Sequence, residues 1–174
     1  MPSRKGNHFR WDPLVRFAHW GVVFCCAANL WFNEPGEPLH ERLGYLAMAL
    51  IAVRLVWGFT FAGPHARLGA LWPSLGELRQ QRQAMRERHP PAAGHHGTGK
   101  LAVWALWGTI LATAFTGWLQ NTEQGFVWGA DEWHEWCTWA LQGLIALHLV
   151  AIALTSWRQR SNLVLRMLPG REVR

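Results

Sequence analysis

Cysteine is scarce in this 174-residue chain: Cys25, Cys26 and Cys137 are the whole set. An odd number without paired spacing excludes a disulfide framework and a structural zinc site. No C-x-x-C-H occurs, which excludes a covalently attached c-type haem. The three thiols read as small buried apolar side chains. Acidic residues are also few, 11 against 17 Lys and Arg, so the formal net charge is +6. Such an excess suits nucleic acid or an anionic membrane surface. The basic residues sit beside apolar runs and form no stripe interleaved with stacking aromatics, so no nucleic-acid partner is expected. There is no internal repeat, and one domain over residues 1–174 is expected.

The mean hydropathy, −0.03, is low for a membrane protein. It is depressed by the basic residues and by 13 Trp, which common scales count as mildly polar although the indole ring favours the membrane interface. Read in windows, the chain has four apolar stretches, at about 14–32, 39–61, 101–119 and 133–157. Each is near the roughly 20 residues that cross a bilayer core as a helix. In lipid the backbone must satisfy its own hydrogen bonds, so helices are forced. The expected fold is therefore all-α, a four-helix transmembrane bundle. The first stretch resembles a signal peptide in its basic flank, but His19 interrupts it, so it reads as a retained span.

Charge sets the direction. Arg4, Lys5 and Arg10 precede the first span; Arg67, Arg79, Arg82, Arg86, Arg88 and Lys100 fall in the 62–100 connection; Arg158, Arg160, Arg166, Arg171 and Arg174 follow the last span. The other two connections have only Arg42 nearby and are acidic, with Glu34, Glu37, Glu41, Glu123, Asp131, Glu132 and Glu135. Four spans place all the basic segments on one side, so both termini are expected to be cytoplasmic. Ser74-Leu75-Gly76-Glu77 has capping-box spacing, and Leu71, Leu75, Leu78 and Met85 outline a surface helix. Asn162 is placed to cap a short helix with Leu163, Leu165, Met167 and Leu168. Both pieces are expected to lie on membrane lipid. Residues 90–99, rich in Pro, Gly and His, read as loop.

Four histidines fall inside the spans. His19 lies in the first turns of span one and His148 near the inner end of span four. His40 and His134 begin spans two and four on the other side. The 14 residues from His134 to His148 amount to about 21 Å of helix and nearly four turns, so both stand on one face. The four sort into two levels, His19 with His148 and His40 with His134. Paired neutral imidazoles from separate helices are what a six-coordinate haem iron requires. The alternative for each alone is a hydrogen bond between helices.

Arg54 is 14 residues after His40 and deep in span two. It needs an anion such as a haem propionate, or else snorkels to the interface. Arg16, three residues before His19, admits a similar role or simple anchoring. Gly44, one turn after His40, together with Gly108, Gly117 and Gly143, lets a flat macrocycle approach a helix or merely aids packing. His8, His65, His89, His95 and His96 lie outside the spans; the last two, beside Lys100, are a weak candidate quinone or proton site. The Trp residues near the span ends read as an interfacial belt.

These residues resemble the bacterial cytochrome b561 family, which includes the cytochrome b subunits of nickel-iron hydrogenases. The resemblance is carried by Trp11-Asp12-Pro13-Leu14-Val15-Arg16-Phe17-Ala18-His19-Trp20, by His40-Glu41-Arg42-Leu43-Gly44-Tyr45 and by Arg54-Leu55-Val56-Trp57-Gly58. Thr116-Gly117-Trp118-Leu119, His134-Glu135, Leu147-His148 and Asn162-Leu163-Val164 with Met167 extend it over nearly the whole chain. It implies two haem b in a bacterial inner membrane protein, ligated by His19, His40, His134 and His148. It also implies electron exchange between quinone and a redox partner, for which a periplasmic c-type cytochrome docking on the acidic loops is one candidate. The segment Gly94-His95-His96-Gly97-Thr98-Gly99 departs from the Gly-His-Asn-Pro-like turn of relatives.

The rival readings differ in chemistry. A quinone-linked thiol oxidoreductase needs paired reactive cysteines at one face, and Cys25-Cys26 lie in the apolar core. A metal or proton transporter predicts acids inside the spans, and here they are in the loops. An anchor or assembly subunit, with or without haem, is the remaining alternative.

Overall fold

The computed structural model describes residues 11–63, 67–72, 74–77, 79, 83, 97–159 and 162–168. Four helices are long and apolar enough to cross a membrane. They are α1 (Pro13–Trp31), α2 (Pro38–Thr60), α3 (Gly97–Leu119) and α5 (Ala130–Gln159), with a short α4 (Glu123–Trp128) before the last. There are 3₁₀ turns at Leu68–Leu71 and Val164–Arg166.

Local chemistry sets the helix ends. Asp12 Oδ1 accepts from the Leu14 amide at 2.9 Å, and Pro13 opens α1 where a missing N–H costs nothing. Pro38 opens α2 in the same way. Thr122 Oγ1 accepts from the Gly125 amide at 3.0 Å and starts α4. Gly129, at φ +65, ends α4 in the left-handed region and turns the chain into α5. Asp131 and Glu132 in the first turn of α5 complement its dipole.

Two expectations need correction. Residues 97–99 belong to α3 and not to the preceding loop. The helix continues back past Lys100, whose buried ammonium sits 2.7 Å from both oxygens of Glu77, fixing the start of α3 to the 74–77 segment. Leu71 is not on the surface helix but buried in a 3₁₀ turn, where its carbonyl accepts from Trp104 Nε1 at 3.0 Å. The helix begins only after Ser74, whose Oγ accepts from the Glu77 amide at 3.1 Å. Leu78 and Met85 lie outside the described residues. The sequence reading also passed over α4, which is too short to carry a periodic pattern.

The helices pack in the order α1 on α2, α2 on α3 and α3 on α5; among the described residues α1 and α5 have no comparable contact. Cys25, Leu43, Ala47, Ile51, Ile110 and Leu141 form the buried centre. In lipid no hydrophobic drive separates such a core from its surroundings, so close packing and polar links hold the helices together. Phe17, Phe24, Val56, Phe59 and Leu147 point outward, an apolar exterior suited to acyl chains.

The bundle has two distinct ends. At one, which we call the terminal end, Arg16 Nη1 donates to the Leu168 carbonyl at 3.0 Å and Trp20 Nε1 to the Met167 carbonyl at 2.8 Å. These bonds fold the segment after α5 back onto the start of α1. Asn162 Oδ1 accepts from the Val164 amide at 3.0 Å, so the expected cap is present but opens a single 3₁₀ turn. At the other, the α4 end, Asn121 Nδ2 donates to Glu41 at 3.2 Å and Asn29 Nδ2 to the His40 carbonyl at 2.9 Å.

Candidate functional site

At the α4 end, α2 and α5 present His40 and His134 to each other, with ring centroids 6.2 Å apart and planes inclined by 65°. Two imidazoles bound through ring nitrogens to one metal, each about 2 Å from it, have centres roughly 6 Å apart. The separation is one at which two imidazoles could hold a single metal between them. His40 Nδ1 is buried without a hydrogen-bond partner. His134 Nδ1 lies 2.9 Å from the Thr113 carbonyl and 3.3 Å from Thr116 Oγ1. Gly117 makes this approach possible: a Cβ there would stand 3.1 Å from His134 Cε1 and 3.3 Å from its Nδ1.

At the terminal end, His148 of α5 is near enough to His19 of α1 to act on its charge. His19 Nδ1 is buried and has no hydrogen-bond partner. His19 also stands against Trp20, edge to face at 5.4 Å. The two histidines stand on helices that do not pack closely on each other among the described residues. A Cβ at Gly44, Gly108 or Gly143 would meet nothing within 4 Å. Buried imidazole nitrogens lacking partners are costly in a protein alone and are the expected mark of a missing ligand. The donor set, four histidines on three helices, is of a kind that could hold haem iron. Among the described residues no three His, Cys, Asp or Glu side chains cluster as a metal cage would require.

The other candidate residues fall as follows. Arg54 is 5 % exposed, so it does not snorkel. Its guanidinium lies 5.8 Å from the Trp107 ring centre, and Asp12 is close enough to act on its charge. Gly58 leaves room for it, since a Cβ there would come within 2.7 Å of Arg54 Nη1. Arg16 reaches the Leu168 carbonyl through Nη1, while its Nε is buried without a partner. Cys25 is buried in the core, Cys26 and Cys137 are half-buried, and all three are free. His8, His65, His89, His95 and His96 lie outside the described residues.

Sequence reasoning missed the Thr113, Thr116 and Gly117 environment of His134. Its signal was a Thr-rich stripe on span three, Thr109, Thr113 and Thr116, whose hydroxyls bond back along their own helix. It also missed the grip of Arg16 and Trp20 on the C-terminal segment, which no local pattern announces.

Four membrane-length helices, with histidines near both ends, make this an all-helical membrane bundle. A family model, prokaryotic cytochrome b561, matches residues 10–170. The chain belongs to that family, and it is a bacterial membrane protein of a family whose members carry out haem b electron transfer. No curated protein and no solved structure matches it significantly.

Proposed function

We propose that this chain is a di-haem membrane cytochrome that moves electrons across the bacterial inner membrane, between the quinone pool and a redox partner on the periplasmic side. In this reading His40 with His134 and His19 with His148 each hold one haem b. The observation that carries it is the pairing of imidazoles from different helices, with one couple at a ring separation of 6.2 Å. Along α5 the two levels are about 21 Å apart, at a rise of roughly 1.5 Å per residue. Bound haem iron supplies a reversible one-electron couple at each level.

The protein's own residues have separate tasks here. The four histidines would hold the haem iron through ring nitrogens. Arg54, buried beside Trp107, offers its cationic group to a propionate near the terminal end. Gly44 leaves open space beside α2 for a porphyrin face. Arg16 is reserved in part for the C-terminal segment, which limits it to a secondary role toward a haem. The apolar exterior keeps the bundle in lipid, where quinone diffuses. The basic terminal end faces the cytoplasm, and the acidic α4 end, with Glu34, Glu37 and Glu123, faces the periplasm and offers a surface to a basic protein such as a c-type cytochrome.

The test is transmembrane reduction in proteoliposomes. The protein is oriented in vesicles that enclose an oxidised c-type cytochrome, and a quinol analogue is added to the membrane. The enclosed cytochrome is expected to be reduced only when the protein is present, and much more slowly with His19→Ala. Equal rates with and without protein would overturn the reading.

A further inference from the structure

We infer that the two histidines at the α4 end are unequal: His134 is the fixed member, oriented by Thr113, Thr116 and Gly117, and His40 is the exchangeable one. The inference rests on the haem-ligation reading above and deepens it.

The proton on His134 can be located. A carbonyl oxygen only accepts, so the 2.9 Å approach of His134 Nδ1 to the Thr113 carbonyl requires the proton to be on Nδ1. Thr116 Oγ1, at 3.3 Å, is a second acceptor for it, because its own hydroxyl points along the helix to the Ala112 carbonyl at 2.9 Å or the Thr113 carbonyl at 3.0 Å. In the neutral ring the lone pair is therefore on Nε2, which is the nitrogen left to bond a metal. The ring also has a wall. It lies against the bare backbone at Gly117, where a methyl would meet it at 3.1 and 3.3 Å. Thr113, Thr116 and Gly117 occupy one turn of α3, which packs directly on α5. The ring is thus held before any ligand arrives.

His40 has none of this. Its backbone is tied, because its carbonyl accepts from Asn29 Nδ2. Its ring is not: Nδ1 is buried and has no hydrogen-bond partner. It stands in the first turn of α2, two residues after Pro38, where helices fray most readily. A ligand ordered in advance loses little freedom on bonding, whereas a free ring must be ordered at that moment. Of the two residues that would hold a haem at this level, His40 would be the one to give way to a small neutral donor, such as a diatomic gas or a free imidazole. Donation from Nδ1–H also makes Nε2 of His134 more basic, which favours ferric iron and lowers the potential at this level. Thr116 and Gly117 are positioning residues in this account.

The experiment compares His40→Gly, His134→Gly, Thr116→Val and Gly117→Ala in the detergent-purified holoprotein. His40→Gly should retain both haems per chain. One of them should bind carbon monoxide in the ferrous state and return to a six-coordinate spectrum when imidazole is added. His134→Gly should lose that haem and not regain it with imidazole. Thr116→Val and Gly117→Ala should keep both haems, raise the midpoint potential of one and leave the other unchanged. The same behaviour of both glycine variants in a two-haem protein would refute the inequality alone. Should neither glycine variant accumulate, Thr116→Val, which deletes no ligand, decides the matter: an unmoved potential overturns the inference. A wild-type protein lacking the second haem would refute the ligation reading itself, and this inference with it.

Discussion

The C-terminal segment should come loose when two side chains of α1 are changed. Arg16 Nη1 and Trp20 Nε1 donate to the Leu168 and Met167 carbonyls at 3.0 and 2.8 Å, on either side of His19 in sequence. Both bonds are exposed, so the magnitudes are modest. The neutral indole bond contributes about 1 kcal/mol net. The guanidinium bond, stronger in a buried setting, is discounted for solvent to about 1 kcal/mol as well. Arg16→Met with Trp20→Phe keeps the apolar bulk and removes both donors, a loss of about 2 kcal/mol if the terms add. That corresponds to an opening equilibrium roughly 30-fold more favourable. The sensitive reporter is the Leu163 amide, which bonds to Ser156 Oγ at 3.3 Å only while the segment is docked on α5. Hydrogen exchange followed by mass spectrometry should show the 162–168 peptide exchanging about 30-fold faster, with the middle of α5 unchanged. Each single variant should show about a fivefold effect. Unchanged exchange in the double variant would refute the reasoning, as would acceleration spread evenly over all four long helices.

Other consequences are open to measurement. Ile51 is 1 % exposed and central to the core, so Ile51→Ala should cost about 2–4 kcal/mol; a thermal melt in detergent that hardly moves would show that the core relaxes around the loss. Lys100 bonded to both Glu77 oxygens holds the Glu77 carboxyl below its ordinary value of 4.5, with the hydrogen bond the main cause. A depressed pKa stabilises the folded contact above the ordinary value and loses that contribution as pH falls through the lowered one. Trp72 and Trp104, 6.0 Å apart, should therefore report a fluorescence change below pH 4.5 that Glu77→Gln abolishes; a change that persists in Glu77→Gln would assign it elsewhere. In intact spheroplasts an impermeant thiol reagent should label Glu37→Cys and Asp131→Cys from outside but not Arg79→Cys, and the reverse pattern would invert the proposed topology.

The helices were legible because lipid leaves the backbone no other choice, and the apolar runs differ from the helix bounds by at most four residues at either end. Family membership was legible from the motifs around His19, His40, Arg54, Gly117 and His148, and the family match confirms it. The meeting of His40 and His134 rings followed from depth alone, since residues at one level of a narrow bundle have few other neighbours. What lay hidden depends on contacts distant in sequence. Arg16 bonds a carbonyl 152 residues away, and Lys100 an acid 23 residues away across a Pro- and Gly-rich stretch. The neighbours of Arg54 were not legible, because Trp107 comes from α3 and Asp12 from the cap of α1, which periodicity cannot align. The Thr113 carbonyl was hidden for a different reason: a main-chain acceptor leaves no trace in residue type.

The central claim is that histidines on separate helices grip a porphyrin at each of two depths. The most direct measurement is the haem content of the purified protein, by pyridine haemochrome against protein mass, for wild type, His19→Ala, His148→Ala and His134→Ala. The account predicts two haem b per chain in wild type and one in each variant, with His19→Ala and His148→Ala sharing a residual spectrum that differs from that of His134→Ala. A colourless wild-type protein, or identical residual spectra in His19→Ala and His134→Ala, would contradict it.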